Sequence, residues 1–101
     1  MAEDRRKARR KTLLVEVYYE GAGTRAQTRI SDISANGVFI ETLSPLPDGS
    51  NIRLAFTPPG GRRIEVEGIV TQSQPGIGMG VAFTRIKPED ARLIEQIVSA
   101  S

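Results

Sequence analysis

The sequence predicts an all-β protein, a six-stranded antiparallel β-barrel followed by one C-terminal α-helix. Beyond residue 12, apolar residues recur mostly at every second position, which is the pattern of strands that bury one face. Turn-forming glycine, proline and asparagine residues interrupt this alternation about every eight to twelve residues, a spacing typical of small barrels and sandwiches. A barrel removes exposed sheet edges, and a terminal helix can cover one open end.

Three strands are predicted in the first half of the chain. Apolar residues alternate from Leu13 to Tyr19, and the glycines at positions 21 and 23 indicate the turn after them. The second strand is predicted from residue 25 to residue 33. The third strand contains residues 38–40 and follows Asn36–Gly37, a pair that favours a two-residue hairpin turn.

Three further strands are predicted after a loop. Residues 44–49 form that loop, because their two prolines and one glycine do not fit a hydrogen-bonded ladder. Strands are predicted at residues 52–56, 64–70 and 81–83, with turns at 58–61 and 75–76.

The chain ends in a predicted helix. Pro88 suits the first helical position, and Glu89 and Asp90 suit the positive end of the helix dipole. One apolar face follows, formed by Ala91, Ile94, Ile97 and Val98.

Composition excludes several classes of function. The 101 residues suffice for one domain with a modest core. The absence of cysteine and histidine excludes disulfides, thiolate metal sites and the usual general base. We therefore expect no enzyme, no metal site and no resident cofactor. No apolar run approaches the ~20 residues that span a bilayer, and no secretory signal is recognisable, so we expect a cytoplasmic protein without membrane insertion.

Positive charge is concentrated at the N-terminus. Residues 1–11 contain six Lys and Arg and two acidic residues, a net charge of +4, whereas the other 90 residues contain eight basic and ten acidic residues, a net charge of −2. A mildly acidic body is not expected of a general polyanion binder. Four of the six basic residues are arginine, whose planar guanidinium can pair with two acceptors, including N7 and O6 of guanine. By itself, this segment is also consistent with a solvated, disordered tail.

A second candidate motif lies between the second and third strands. Asp32 to Gly37 has the sequence D-I-S-A-N-G, and turn chemistry alone explains most of it, because Asp and Ser often bond to their own backbone in turns. However, Asp32 lies two positions after Ile30 and would share its face in a regular strand, while Ile33 occupies the other face. This predicts a β-bulge or a polar site at the barrel rim.

The glycine-rich stretch from Gly76 to Gly80 loosely resembles a phosphate-binding loop. It enters a strand, whereas such a loop must open a helix. We interpret it as a turn and a strand with close backbone approach.

Taken together, the two motifs resemble the PilZ domain family. An R-R-x-x-x-R pattern precedes a D-x-S-x-x-G pattern, with one strand and a hairpin turn between them. The matching residues are Arg5, Arg6 and Arg10 in the first pattern, and Asp32, Ser34 and Gly37 in the second. The resemblance extends from the arginine segment to the final helix. It implies a six-stranded barrel with a C-terminal helix that binds the bacterial second messenger cyclic di-GMP.

The resemblance also implies a role for each motif residue. The three arginines would contact phosphates, stack on bases and pair with guanine N7 and O6. Asp32 would accept from guanine N–H donors with the Ser34 hydroxyl beside it, and Gly37 would permit an approach that a Cβ blocks. Residues 1–11 would form a flexible switch segment ahead of the barrel domain, residues 12–101, and would become ordered when ligand binds. We thus expect a cyclic di-GMP receptor or adaptor that signals to an unidentified protein partner, with one nucleotide or an intercalated pair bound.

Two alternative functions belong to other classes. The chain could be a small nucleic-acid-binding barrel with a basic arm, or an adaptor that binds protein independently of nucleotide. DNA or RNA is not the expected partner, because only five aromatics exist and Phe56 and Phe83 have core parity. Single-strand binders need exposed aromatic platforms.

Overall fold

Six antiparallel strands close into a barrel in the computed structural model of the chain, which describes residues 10–99. The strands are β1 (Arg10–Gly21), β2 (Thr24–Ser34), β3 (Gly37–Glu41), β4 (Asn51–Phe56), β5 (Ile64–Gln74) and β6 (Gly78–Arg85), and they are followed by helix α1 (Pro88–Ser99). Around the barrel the order is β1-β2-β3-β6-β5-β4, and β4 pairs with β1 to close it. The predicted fold class is confirmed.

The barrel interior is filled by the apolar residues that alternate along the strands. Val17, Ile30 and Ile40 are fully buried, and Phe56 is buried as its parity predicted. Phe83 is half-buried and packs against the same core. Because neighbouring positions on each strand point out of the barrel, the outer surface is available to polar side chains.

Helix α1 belongs to the same core. Ile94 and Val98 are buried in it, whereas Ala91 and Ile97, on the same predicted apolar face, are half-buried. Asp90 in the first turn is also buried, and its carboxylate accepts a 2.7 Å hydrogen bond from the Arg62 guanidinium. The ion pair thus connects the β4–β5 loop to the helix. The sequence had explained Asp90 only through the helix dipole.

The first strand begins earlier than the hydrophobic pattern predicted. Arg10 and Lys11, which the charge pattern placed in the arginine segment, are the first two residues of β1 and pair with Ser34 and Ile33. Main-chain hydrogen bonds form a ladder without apolar side chains, so the alternation does not mark where pairing ends. Most of the predicted switch segment lies outside the described residues, and its mobility stays a prediction.

Several strands contain β-bulges. The register shifts between Thr12 and Val15 in β1, between Ile30 and Asp32 in β2, and between Val70 and Gln72 in β5. The shift in β2 confirms the bulge predicted from the parity of Asp32. No helix within residues 10–99 is long and apolar enough to cross a membrane.

Candidate functional site

Strand register brings the ends of the two sequence motifs together. The backbone of Arg10 pairs with Ser34, and Ser34 pairs with Gly37 across the β2–β3 hairpin. The last arginine of the first motif therefore begins a strand directly beside the second motif. Arg5 and Arg6 lie outside the described residues.

Asp32 reaches the outer surface because of the bulge in β2. Ile30 and Ile33 are both fully buried although they are three positions apart, which a regular strand does not allow. The extra residue leaves Asp32 half-buried on the outer face, where its cross-strand partners are Thr12 on β1 and Phe39 on β3. A carboxylate in this position can accept from N–H donors of a molecule on the barrel surface.

Ser34 has a structural role that its place in the motif did not reveal. The residue is buried, and its hydroxyl oxygen accepts a 3.2 Å hydrogen bond from the Asn36 amide while donating to the Gly37 carbonyl at 3.4 Å. These bonds hold the hairpin turn closed. A hydroxyl has a second lone pair, so one acceptor position of Ser34 remains for a ligand donor.

Gly37 is required by close packing of two strands. A Cβ at this position would overlap the backbone carbonyl oxygen of Val81 on β6. Gly37 is not among the residues with positive φ, so turn conformation is not the reason. The two turn residues are Ala35 and Asn36, which corrects the assignment of Asn36–Gly37 as the turn pair.

A shallow groove of about 290 Å³ lies beside this turn on the outer face. Phe39 and the Ser34–Gly37 turn border it on one side, and Thr71 and Gln72 of β5 border it on the other, with Gly80 of β6 between them. The sequence indicates Gly80 only as part of a glycine-rich strand, which the structure confirms, and it marks none of the other groove residues outside the motif as part of a site. Phe39 and Gln72 carry no signal in the sequence, since their position depends on which strands are neighbours.

A second set of arginines lies elsewhere on the barrel surface. Arg25, Arg53 and Arg63 surround Tyr18 in a separate groove. Two of them form ion pairs with acidic side chains. Arg25 Nε lies 3.7 Å from Glu20 Oε2, and Arg63 Nε lies 3.1 Å from Glu65 Oε2. Much of the positive charge on this face is thus neutralised locally.

Among residues 10–99, no group of three or more acidic side chains is arranged to hold a metal ion. The surface near Asp32 offers hydrogen-bonding groups and backbone, and β1, the neighbouring strand, continues from the basic N-terminal sequence.

Comparison with known proteins gives one family and several similar folds. A family model described as PilZ domain matches residues 4–100. The inhibitor of motility MotI/DgrA of Bacillus subtilis superposes with a TM-score of 0.78 at 22% identity, over 91% of this chain and 48% of that chain. The chain thus spans about half the length of the Bacillus protein.

Two further structures share the fold. The PilZ domain of CeSA from a cellulose-synthesizing bacterium has a TM-score of 0.67 at 13% identity, over 90% of this chain and 95% of that chain. The Borreliella burgdorferi PlzA protein, in complex with c-di-GMP, has a TM-score of 0.60 at 21% identity, over 83% of this chain and 32% of that chain. The search of curated proteins gives no match.

Proposed function

We propose that this chain, which belongs to the PilZ domain family, is a receptor for cyclic di-GMP that signals to a protein partner. The observation that supports this most directly is the register of three strands. It aligns the end of the arginine motif with Ser34 and Gly37 of the second motif, so that residues far apart in sequence can contact one ligand. The PlzA protein, part of which shares this fold and which was solved in complex with c-di-GMP, supports the choice of ligand.

The chemistry of the two motifs matches the ligand. Cyclic di-GMP has two phosphates and two guanines, so its receptor needs cations and groups that recognise a purine edge. Arg5, Arg6 and Arg10 can pair with phosphate oxygens and with guanine N7 and O6 through their planar guanidinium groups. Asp32 on the outer face accepts from the N–H donors of guanine, and Ser34 supplies its remaining lone pair.

Calorimetric titration with cyclic di-GMP tests the function directly. We expect saturable binding whose molar ratio distinguishes one nucleotide from an intercalated pair. Parallel titrations with GMP, GTP and a single-stranded RNA should give much weaker binding. The absence of heat with cyclic di-GMP, or equal affinity for all four ligands, would contradict the proposal.

The signal would arise from ordering of the N-terminal segment. Residues 1–9, which precede β1, contain four basic and two acidic residues, a net charge of +2, so mutual repulsion and chain entropy favour open conformations without ligand. A dianionic ligand offsets both costs by drawing the arginines toward Asp32. Since the segment joins β1 beside the motif, ligand binding would change the surface that a partner meets.

Backbone NMR relaxation measures this ordering. We expect fast-timescale flexibility for residues 4–9 in the free protein and restricted motion at saturating cyclic di-GMP. The β4 strand serves as an internal reference, because its amides should not change. Equal flexibility with and without nucleotide would refute the ordering step while leaving ligand binding intact.

The Asp32→Ala substitution should weaken binding and reduce selectivity. Loss of a charged hydrogen bond costs about 1–3 kcal/mol, which corresponds to about 5- to 150-fold in affinity. Discrimination against cyclic di-AMP should shrink at the same time, because the carboxylate complements guanine N–H donors. Calorimetry with both dinucleotides measures the two effects, and unchanged affinity and selectivity would show that residues 32–37 serve only the turn. Glu95→Ala, on the exposed face of helix α1, is the control for loss of one carboxylate.

A further inference from the structure

The first half of β2 has a neighbouring strand on one side only. β2 pairs with β1 from its first residue, Thr24, to its last. Its pairing with β3 begins only at Arg29, which lies opposite Glu41. Among the described strands, none therefore pairs with residues 24–28 on the side away from β1.

The chain that follows β3 turns away from β2 at this point. The Thr28 hydroxyl donates a 2.7 Å hydrogen bond to the Glu41 carbonyl, so a side chain ends the pairing. Beyond Glu41 the backbone bonds to the β5–β6 turn, where the Ile77 carbonyl accepts from the Thr42 amide at 3.2 Å. The two segments thus separate and leave a groove between them.

The open edge of β2 presents main-chain groups at a fixed spacing. Residues 22 and 23, between β1 and β2, have φ of 49° and 78°, as a two-residue type I′ turn requires. This turn makes Gly21 and Thr24 a hydrogen-bonded pair, and such pairs alternate with non-hydrogen-bonded ones along the ladder. The amides and carbonyls of Arg25 and Gln27 therefore point away from β1, toward the groove. A strand edge of this kind is a template for pairing with another extended segment.

The opposite wall of the groove is apolar. A cavity of about 740 Å³ lies between residues 26–28 of β2 and the side chains of Leu43 and Ile77. Leu43 is 80% exposed and Ile77 is 61% exposed, and a 3.0 Å hydrogen bond from the Gly76 amide to the Leu43 carbonyl holds their segments together. Because the groove has a wall on each side, it accommodates one extended segment better than the edge of a second barrel, which is backed by its own neighbouring strand.

The charges beside the groove specify the segment further. Where β2 and β3 begin to pair, Arg29 and Glu41 neutralise each other at 3.3 Å. At the other end, the side chain of Arg25 is 84% exposed, and its ion pair with Glu20 is long, at 3.7 Å. Residues directly opposite each other on paired strands have side chains on the same face, so an acidic residue opposite Arg25 is favoured. The same charge repels residues 1–9 of this chain, whose net charge is +2.

We propose that the partner protein binds in this groove by adding one extended strand to the open edge of β2. The segment has apolar residues at alternate positions, which contact Leu43 and Ile77, and an acidic residue opposite Arg25. The inference rests on the proposed function for the existence of a partner. It uses a surface apart from the two motifs, since Gln27 precedes Ser34 by seven positions, roughly 23 Å at ~3.3 Å per residue.

Selection from a displayed library of random octapeptides tests the groove. Peptides that bind the unsubstituted protein should be acidic, with apolar residues at alternate positions. Gln27→Pro removes the amide that points into the groove and keeps the hydrogen bonds to β1, so the selected peptides should bind it about tenfold more weakly or worse. Gln27→Ala is the matched control, because alanine keeps that amide, and it should bind within about twofold of the unsubstituted protein.

Two further measurements do not depend on folding of the proline variant. A selected peptide N-methylated at alternate residues keeps its side chains and loses the amides that pair with β2, so its binding should fall about tenfold or more. Leu43→Ser should weaken binding about threefold or more through lost apolar contact. Leu14→Ser, at an exposed leucine of β1, is the control and should bind within about twofold.

The outcomes separate the groove from the receptor function. A library that yields no binding peptide, or peptides that bind Gln27→Pro and Leu43→Ser as tightly as the unsubstituted protein, would refute the groove, whereas calorimetry with cyclic di-GMP still reports the receptor. A dimer in sedimentation that Gln27→Pro dissociates would assign the groove to a second copy and overturn the proposal. Tighter peptide binding after deletion of residues 1–9 would overturn it too, by assigning the groove to the chain's own N-terminus. Peptide binding with these dependences but no nucleotide binding would refute only the receptor function.

Discussion

Replacing Arg5, Arg6 and Arg10 together by alanine is expected to weaken cyclic di-GMP binding by about a thousandfold or more. Each charge-assisted hydrogen bond contributes about 1.5–3 kcal/mol, so three such contacts exceed about 4 kcal/mol, which corresponds to about three orders of magnitude in affinity. Calorimetry, or displacement of a fluorescent cyclic di-GMP analogue where heats are too small, measures the loss. Arg10 joins β1 through its backbone, which alanine also provides, so folding should be little affected.

A second triple variant controls for net charge. Arg25, Arg53 and Arg63 surround Tyr18 in a different groove. Their replacement by alanine also removes three positive charges. Arg25 and Ser34 are nine positions apart on β2, roughly 30 Å at ~3.3 Å per residue. Charges at that separation are largely screened at physiological salt. We expect this variant to bind within about threefold of the unsubstituted protein, and equal losses in both triples would reject a specific role for the N-terminal arginines.

Gly37→Ala is expected to destabilise the folded protein by about 2–3 kcal/mol, the cost of inserting an atom into a closely packed position. The new Cβ would overlap the Val81 carbonyl oxygen, which is backbone and does not rotate away as a side-chain tip does. Strands β3 and β6 would have to separate at the end that holds the motif. Urea denaturation followed by circular dichroism measures the change in the free energy of unfolding.

Gly80→Ala is the control for this substitution, since it adds the same methyl group to the outer face without a close contact. Its free energy of unfolding should stay within about 0.5 kcal/mol of that of the unsubstituted protein. A Gly37→Ala protein of normal stability that failed to bind nucleotide would assign Gly37 to ligand contact alone. A destabilised protein that still binds when folded would assign it to packing alone.

The sequence by itself determined the strands, the helix and the barrel class, because each follows from local chemistry. The period-two alternation at Val15, Val17 and Tyr19 gives the buried face of a strand without reference to any neighbour. The parity of Asp32 predicted a bulge for the same reason, since an acid in the apolar register needs a local change of face. The candidate motif residues came from short patterns and from the family resemblance.

Only the tertiary structure decided what those residues touch, because pairing between strands distant in sequence is a non-local property. The neighbours of β3 are β2 and β6, so the reason for Gly37 lies at Val81, and no pattern around residue 37 contains it. The same pairing places Gly80 and Gln72 beside Phe39, although nothing in their own segments indicates a shared groove. Likewise, burial of Asp90 depends on Arg62 approaching from the β4–β5 loop. Periodicity determines which face a residue occupies, and the closure of the barrel determines which residues that face meets.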